Sequence, residues 1–584
     1  MSNGTPSLPD RWITDWTPSP RWPHYTRANA GEVLPTSASP LGQTFTWDNG
    51  IMLGWRDGYV RQGLYAEGEM SAVRPEPAGF FGGYFYINLA NVRMQGVRNP
   101  AVTVEQLDLA FFGDHPDVPP YVAHPDDEKP ELTDKILAHM GWVMSATEFP
   151  DIEVSKASTV ALRAARPDLT SLSDSELLAY ARATQPMLVK LFEEHCVCSS
   201  SSGIAPGVLF AIGQAIDDPT VPMRLIASIG DVDSAAPSWA LWDMSRMVRN
   251  STALSAAFGP GVDGVLDRLA AVGGDDADAF VAAWNDFSLK YGSRGPNEYE
   301  ISNETWETSP AISLAIIDRV RFQADDESPT IRHERQAAER EATIIEVRAK
   351  LAAIGNDELS GTFEAGLIAA NMMWMRERTK TNLVRAVHEG RMAFRELGQR
   401  AAAAGHIDDW RHVFMVLDEE LDAFVADPAS MRTTLAQRYP VWQEINDREP
   451  PFFIKNGAVP PINEWPRRGD AAVDVAQPGD VLQGVPGCPG IVRGRARVIL
   501  DPADPEGLEP GEIMVAPLTD PAWTPLFMSA GGVVVDVGGQ ISHAIIVSRE
   551  LGLPCVVSVT DGTRRIPNGA EIEVNGNTGQ VTIL

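Results

Sequence analysis

Between Pro460 and Gly487 the chain changes character, and that break decides what it can fold into. Pro460-Pro461, Pro466-Arg467-Arg468-Gly469-Asp470 and Gln477-Pro478-Gly479 sustain neither helix nor strand. Upstream, from about residue 170 to 450, apolar residues recur at helical spacing. Ser173-Asp174-Ser175-Glu176 is a capping-box sequence that opens a segment carrying Leu177, Leu178, Ala181 and Leu188. Asp278 to Lys290, Arg335 to Ala353 and Phe363 to Leu397 repeat the helical pattern. The first 130 residues or so differ, being rich in Trp, Tyr, Phe, Gly and Pro. There, Phe80-Phe81-Gly82-Gly83-Tyr84-Phe85-Tyr86-Ile87-Asn88-Leu89 reads as short strands and aromatic loops. Beyond the break come short β segments at 495–500, 513–516 and 533–536, then a closing hairpin over 571–583 with a Gly-rich turn. The expected molecule is multi-domain. It has a mainly α-helical body over 1–465 with a small β-containing N-terminal part, a flexible linker at 466–480, and an α/β domain at 481–584.

Composition narrows the classes. A chain of 584 residues is too long for one core. No run of about 18 apolar residues is evident, so no membrane span is expected. Met1-Ser2-Asn3-Gly4-Thr5-Pro6 has neither the basic nor the apolar region of a signal peptide. Four cysteines cannot form a disulfide framework at this length, which fits a reducing cytoplasm. Cys196 and Cys198 have no second Cys or His pair at zinc-ligand spacing, so they read as buried small residues, and no metal site is expected. A net charge of −31 argues against nucleic acid or an anionic membrane as partner. It leaves room for local clusters of Arg and Lys that bind anionic substrates.

The segment from Val533 to Pro554 carries the chemistry. It reads as a buried strand, a double-glycine turn at Gly538-Gly539, and a helix stopped by Gly552 and Pro554. The glycines are expected to supply backbone angles and close approach that a side chain would block. His543 falls in the first helical turn, after Ser542, where free N–H groups and the positive dipole end favour a bound anion. Neutral imidazole is a competent nucleophile toward phosphorus. On residue type alone, a lone histidine there is more often a helix cap or one simply satisfied at a turn. The stretch Gly538-Gly539-Gln540-Ile541-Ser542-His543-Ala544 to Pro554 resembles the phosphohistidine signature of phosphoenolpyruvate-utilising enzymes, the pyruvate phosphate dikinase and phosphoenolpyruvate synthase group. Pro486 to Gly494, Thr519-Asp520-Pro521-Ala522-Trp523-Thr524-Pro525-Leu526-Phe527 and the terminal hairpin match as well. The resemblance implies that 481–584 is a swivelling domain whose His543 carries a phosphoryl group, with Gly538, Gly539 and Ser542 forming its phosphate loop. Ile541 departs from the family's usual Thr, so regulation by phosphorylation at that position is not expected.

The body resembles the acceptor-binding part of rifampin phosphotransferase and the swivelling-domain subunit of phenylphosphate synthase. Tyr25-Thr26-Arg27-Ala28-Asn29-Ala30-Gly31-Glu32-Val33-Leu34-Pro35, Tyr291 to Ile301 and Arg376-Glu377-Arg378-Thr379-Lys380 carry that likeness. Arg376 and Lys380 are an i, i+4 pair with Glu377 in the same turn, beside Met372, Met373 and Met375. On spacing alone this is also an ordinary solvated helix face. The resemblance implies cations that stabilise a transferring phosphoryl group, with Glu377 taking the acceptor's proton. It also implies Arg294 and Glu298 as substrate-binding residues; Arg27 and Glu32 are the weakest candidates, and Ser293 stands where the family usually has another polar residue. No ATP-grasp pattern or phosphoenolpyruvate barrel pattern is evident in the sequence. The expectation is therefore a phosphotransferase subunit in a hetero-oligomer: a separate ATP-grasp subunit binds ATP and Mg2+, and this chain alone binds no cofactor. The expected acceptor is a phenolic or alkylphenolic hydroxyl, giving an aryl phosphate in aromatic catabolism. The alternatives are a rifamycin-type antibiotic phosphotransferase or a phosphoenolpyruvate synthase-like phosphocarrier.

Overall fold

The computed structural model describes residues 7–112, 117–218, 220–226, 228, 229, 233, 236–470, 473–502, 507–539 and 542–584. Near the N-terminus, strand β1 (Tyr25–Thr26) is followed by a short helix, α1 (Ala30–Val33). A run of π-type turns at Gly42–Ile51 then leads directly into α2 (Met52–Gln62). The sequence reading of strands and aromatic loops missed this helical stretch. Its aromatic residues point inward: Trp47 is fully buried and packs on Phe80, Phe85 and Tyr299. Strands β2 (Ala78–Phe81) and β3 (Tyr84–Asn88), in the segment read as short strands and aromatic loops, form a hairpin with Gly82 and Gly83 both at positive φ in its turn.

The helical body then runs through α3 (Asp174–Arg182), α4 (Gln185–Ser201), α5 (Asp275–Tyr291), α6 (Pro329–Ile354), α7 (Asp357–Ala369) and α8 (Asn371–Ala403). Ser173 and Glu176 close the capping box that opens α3. The apolar pattern from Phe363 to Leu397 belongs to two helices, which break at Ala370. Helix α4 packs tightly on α2. A Cβ on Gly54 would stand 2.2 Å from the Val189 carbonyl oxygen, and one on Gly58 would stand 2.7 Å from Cys196 Cβ. The stretch Asp174–Ala215 contains an 18-residue window of hydropathy 1.5, long and apolar enough by composition to cross a membrane. This corrects the sequence-level reading that no such run exists. Half of that window is buried inside the molecule. Strand β4 (Phe453–Ile454) returns to pair with β1, giving a sheet of order β2-β3-β1-β4.

The C-terminal unit is an eight-stranded sheet built from β5 (Val481–Gln483), β6 (Val485–Cys488), β7 (Ile491–Val498), β8 (Ile513–Ala516), β9 (Gly532–Val535), β10 (Cys555–Val557), β11 (Glu571–Asn575) and β12 (Gln580–Ile583). The strand order is β5-β12-β11-β7-β8-β9-β10-β6, with β7 to β10 mutually parallel. The central strands are buried on both faces. Met514, Val533, Val535 and Cys555 share one apolar cluster, while Ile513, Val515, Val534 and Val556 share the other. Helix α9 (His543–Leu551) covers the first of these faces.

The stretch between body and sheet is stitched at both ends. Glu449 N donates to the Pro466 carbonyl at 2.8 Å and Arg468 N to that of Asp447 at 2.8 Å. Ala476 N donates to the Arg565 carbonyl at 2.8 Å, and Gly479 N to that of Ile583 at 2.9 Å.

Candidate functional site

The histidine sits where strand, turn and helix meet. β9 ends at Val535, the chain passes through Gly538 and Gly539, and Ser542 enters α9 in the extended conformation usual for an N-cap. No side chain caps the helix. Its first-turn N–H groups therefore have no intrahelical partner and no cap. Gly552 at φ 67° ends the helix. The two turn glycines do not have the backbone angles expected of them, for neither is at positive φ. At Gly538 the limit is space: a Cβ would stand 3.1 Å from both Ser542 Oγ and Val557 Cβ. A Cβ on Gly539 would meet nothing within 4 Å. Ser542 Oγ is buried and finds no partner among the described residues. The Ile541 position lies outside the described residues.

His543 is 8% exposed. Thr519 Oγ1 lies 3.0 Å from its Nδ1 and Thr524 Oγ1 lies 3.0 Å from its Nε2. Phe527 packs edge-on, with ring centroids 6.0 Å apart. A neutral imidazole has one donor and one acceptor nitrogen, and a hydroxyl serves either. The two threonines thus hold the ring whichever nitrogen bears the proton. The sequence reading quoted both as part of a matching segment but gave neither a role.

The charge around the ring comes from the body. Burial holds the imidazole pKa well below its ordinary value, and Lys380, Arg294 and Arg376 push it further down. Arg294, fully buried, donates from Nε to Glu298 Oε2 at 2.7 Å and from Nη1 to Thr381 Oγ1 at 2.9 Å. Lys380 Nζ stands 3.3 Å from Glu298 Oε1, so one carboxylate ties both cations. Glu377 is buried on the same helix and lines a crevice of about 20 Å³ with Met373, Trp374 and Ile546 of α9. The expected residues on the loop at 292–300 and on α8 therefore meet His543 at one interface.

The two weakest candidates separate. Arg27 is a structural clamp: its guanidinium donates to the carbonyls of Phe85 at 2.5 Å and Leu34 at 3.0 Å, against Tyr84 and Tyr86. Glu32 joins the site. Its carboxylate faces Arg376 and Lys380; desolvation outweighs these cations and raises its pKa to about 7. The C-x-C cysteines are both buried and free on α4.

The C-terminal residues 508–579 match the mobile domain of PEP-utilising enzymes, and residues 195–377 match the rifampicin phosphotransferase fourth domain. The chain carries a PEP-utilising mobile domain on a rifampicin-phosphotransferase-like body. Rifampicin phosphotransferase of Streptomyces sviceus is 32% identical over 327 residues, 55% of this chain and 36% of that protein. The Bacillus subtilis rifampicin phosphotransferase is 28% identical over 331 residues, 55% of this chain and 36% of the relative. The prodigiosin synthesizing transferase PigC of Serratia marcescens is 29% identical over 376 residues, 62% of this chain and 40% of the relative. The chain thus spans less than half the length of each of these relatives. His543 lies within the mobile domain, and Arg294, Glu298, Arg376 and Glu377 lie within the matched part of the body.

Proposed function

We propose that this chain performs the acceptor half of a phosphotransfer reaction, with His543 carrying the phosphoryl group to a hydroxyl bound on the body. The observation that carries this reading is the imidazole held among Arg294, Arg376 and Lys380, cations that its own domain does not supply. In the transfer step the His543 N–P bond breaks and a P–O bond forms to the acceptor oxygen. The acceptor's proton passes to the Glu377 carboxylate, and the phosphorylated ring, protonated on its other nitrogen, keeps the N–P electron pair and leaves as neutral imidazole. Charge spread over the phosphoryl oxygens is met by Lys380, Arg376 and Arg294 in a water-poor interface, where such contacts act most strongly. ATP is the donor in this reading, held with its magnesium by an ATP-grasp unit on a separate subunit.

The acceptor we favour is a phenolic hydroxyl whose apolar ring lies against Met373 and Trp374; the docked crevice of about 20 Å³ holds only a water-sized group, so the ring enters as the mobile domain moves away. A second reading, a rifamycin-type acceptor, is supported by the names of the relatives. One assay separates the two. The chain is incubated with an ATP-grasp partner, Mg-ATP, and panels of phenols and rifamycins, and the phosphorylated products are identified by mass spectrometry. Phenyl phosphates support the first reading and phosphorylated rifamycins the second. His543→Ala must abolish either product; turnover that survives this change contradicts the whole scheme.

A further inference from the structure

Helix α8 grips the segment 292–307 well beyond its Arg376 to Lys380 turn. Arg391 lies three turns, about 16 Å, past Lys380 and on nearly the same helix face. It is 1% exposed, and its Nη2 donates to the main-chain carbonyls of Glu298 at 2.7 Å and Glu300 at 3.1 Å. Its Nη1 lies 3.1 Å from Nδ1 of His388, one turn earlier. We infer that Arg391, buttressed by His388, is a positioning residue that sets the backbone carrying Arg294 and Glu298 to the docked His543; the inference rests on the transfer reading given above.

The hydrogen bonds run in one direction through the buttress. A guanidinium only donates, so Nδ1 of His388 accepts, and the ring's proton sits on Nε2, which donates to Glu307 Oε2 at 2.9 Å. Burial keeps this ring neutral, with its pKa lowered to about 3. Glu307 is held in turn by Arg163 and Arg166. One turn of α8 therefore holds the segment at two places, Arg391 at Glu298 and Glu300, and His388 at Glu307. The segment also closes on itself: Trp306 N donates to the Arg294 carbonyl at 2.8 Å and Glu307 N to that of Gly292 at 3.0 Å.

The targets of Arg391 are main-chain carbonyls, so what it fixes is the course of the backbone. Glu298 is bonded by α8 at both ends, its carbonyl by Arg391 and its carboxylate by Lys380 at 3.3 Å. The same carboxylate accepts from Arg294 Nε, whose Nη1 reaches Thr381 of α8. The place of Arg294 beside the docked imidazole thus depends on where the Glu298 backbone lies. Next to it, Asn297 N donates to Asp520 Oδ2 of the mobile domain at 2.7 Å, so this backbone also receives the incoming domain. Among the described residues, none of the hydrogen bonds of Arg391 goes to a carboxylate. Burying a charge without such a partner is costly, and what it secures here is placement.

The first test needs no acceptor. Hydrogen exchange of the full chain is compared for wild type, Arg391→Met and His388→Phe; the last keeps the guanidinium and is read alone if Arg391→Met does not fold. Peptides covering 292–307 are expected to exchange at least tenfold faster in either variant, while those of the terminal hairpin at 571–583 keep the wild-type rate. No change, or equal acceleration in both regions, would overturn the clamp. In a second arm, His543 is phosphorylated with phosphoramidate and the chain is chased with phenol or rifampicin. The single-turnover rate constant counts only folded, phosphorylated molecules, so a merely structural residue would leave it unmoved. It is expected to fall at least tenfold in Arg391→Met, but less than twofold further when that change is added to Arg294→Met, because a positioning residue acts through the group it places. An unchanged rate constant, or the full tenfold loss in the Arg294→Met background, would overturn the positioning role. If exchange responds as expected but wild type passes phosphate to neither acceptor, the clamp stands and the transfer reading fails.

Discussion

The two faces that meet at His543 are built from different materials. On its own domain the imidazole touches two threonine hydroxyls and a phenylalanine edge, all neutral. The opposing face of the body carries Arg294, Arg376 and Lys380, with Glu298 and Glu377 among them. The contrast shows a division of labour. In the proposed scheme the mobile domain orients the ring, while the body supplies the charge that would meet a transferring phosphoryl group. The mobile domain also buries its central strands on both faces, whereas the body concentrates its polar chemistry on α8 and the loop after α5.

The strongest way to break this contrast is to neutralise the body's face. Arg376→Ala with Lys380→Met is expected to slow acceptor phosphorylation by roughly 10²–10³-fold, the usual cost of removing preorganised charge from a transition state. Formation of phospho-His543 should be unchanged, so the two half-reactions must be followed separately by rapid quench. Removing the neutral face should cost less. Thr519→Val and Thr524→Val each delete one hydrogen bond to the ring, and each is expected to lower the rate about tenfold or less.

The pH dependence of docking sharpens the comparison, because the two faces titrate in opposite senses. Glu32 is raised from 4.5 to about 7 by burial, against Arg376 and Lys380. Docking therefore gains from its protonation below pH 4.5 and loses that gain as pH rises through about 7. His543 is depressed from 6.5 by burial and by the body's cations, so docking weakens as pH falls below 6.5 and the free ring protonates. In wild type the two arms oppose each other between 4.5 and 6.5, and docking should vary little. Glu32→Gln should expose the histidine arm, with docking strengthening as pH rises to 6.5; His543→Ala should expose the opposite slope. Small-angle scattering across this range reads the docked fraction. The smallest effect lies away from the interface: Ser173→Ala, which removes the cap of α3, should cost about 1 kcal/mol of body stability in denaturant unfolding and leave transfer unchanged.

Much of this was legible in sequence where the signal was local. The capping box at Ser173, the short strands around Phe80 to Asn88 and the placement of His543 in the first turn of its helix follow from short-range rules. The Arg376 to Lys380 turn was also visible, as one helical face. What escaped depends on distant partners. Nothing near β1 announces that its second neighbour is β4, more than 400 residues later. Glu32 looked as weak as Arg27, since its place beside Arg376 and Lys380 exists only when α8 comes to it. The helical stretch at 42–62 was hidden by aromatic and glycine content that serves packing: Trp47 enters the core, and Gly54 and Gly58 let α4 approach.

The central claim is that phosphorus passes through one ring nitrogen of His543 on its way to the acceptor. A pulse–chase experiment tests it most directly. The chain is labelled with ³²P from ATP through an ATP-grasp partner, freed of nucleotide, and chased with unlabelled acceptor, while tandem mass spectrometry locates the label. The account predicts label on His543 alone, discharged into the acceptor at the rate of product formation. Label on another residue, or acceptor phosphate that forms while His543 stays labelled, would contradict it.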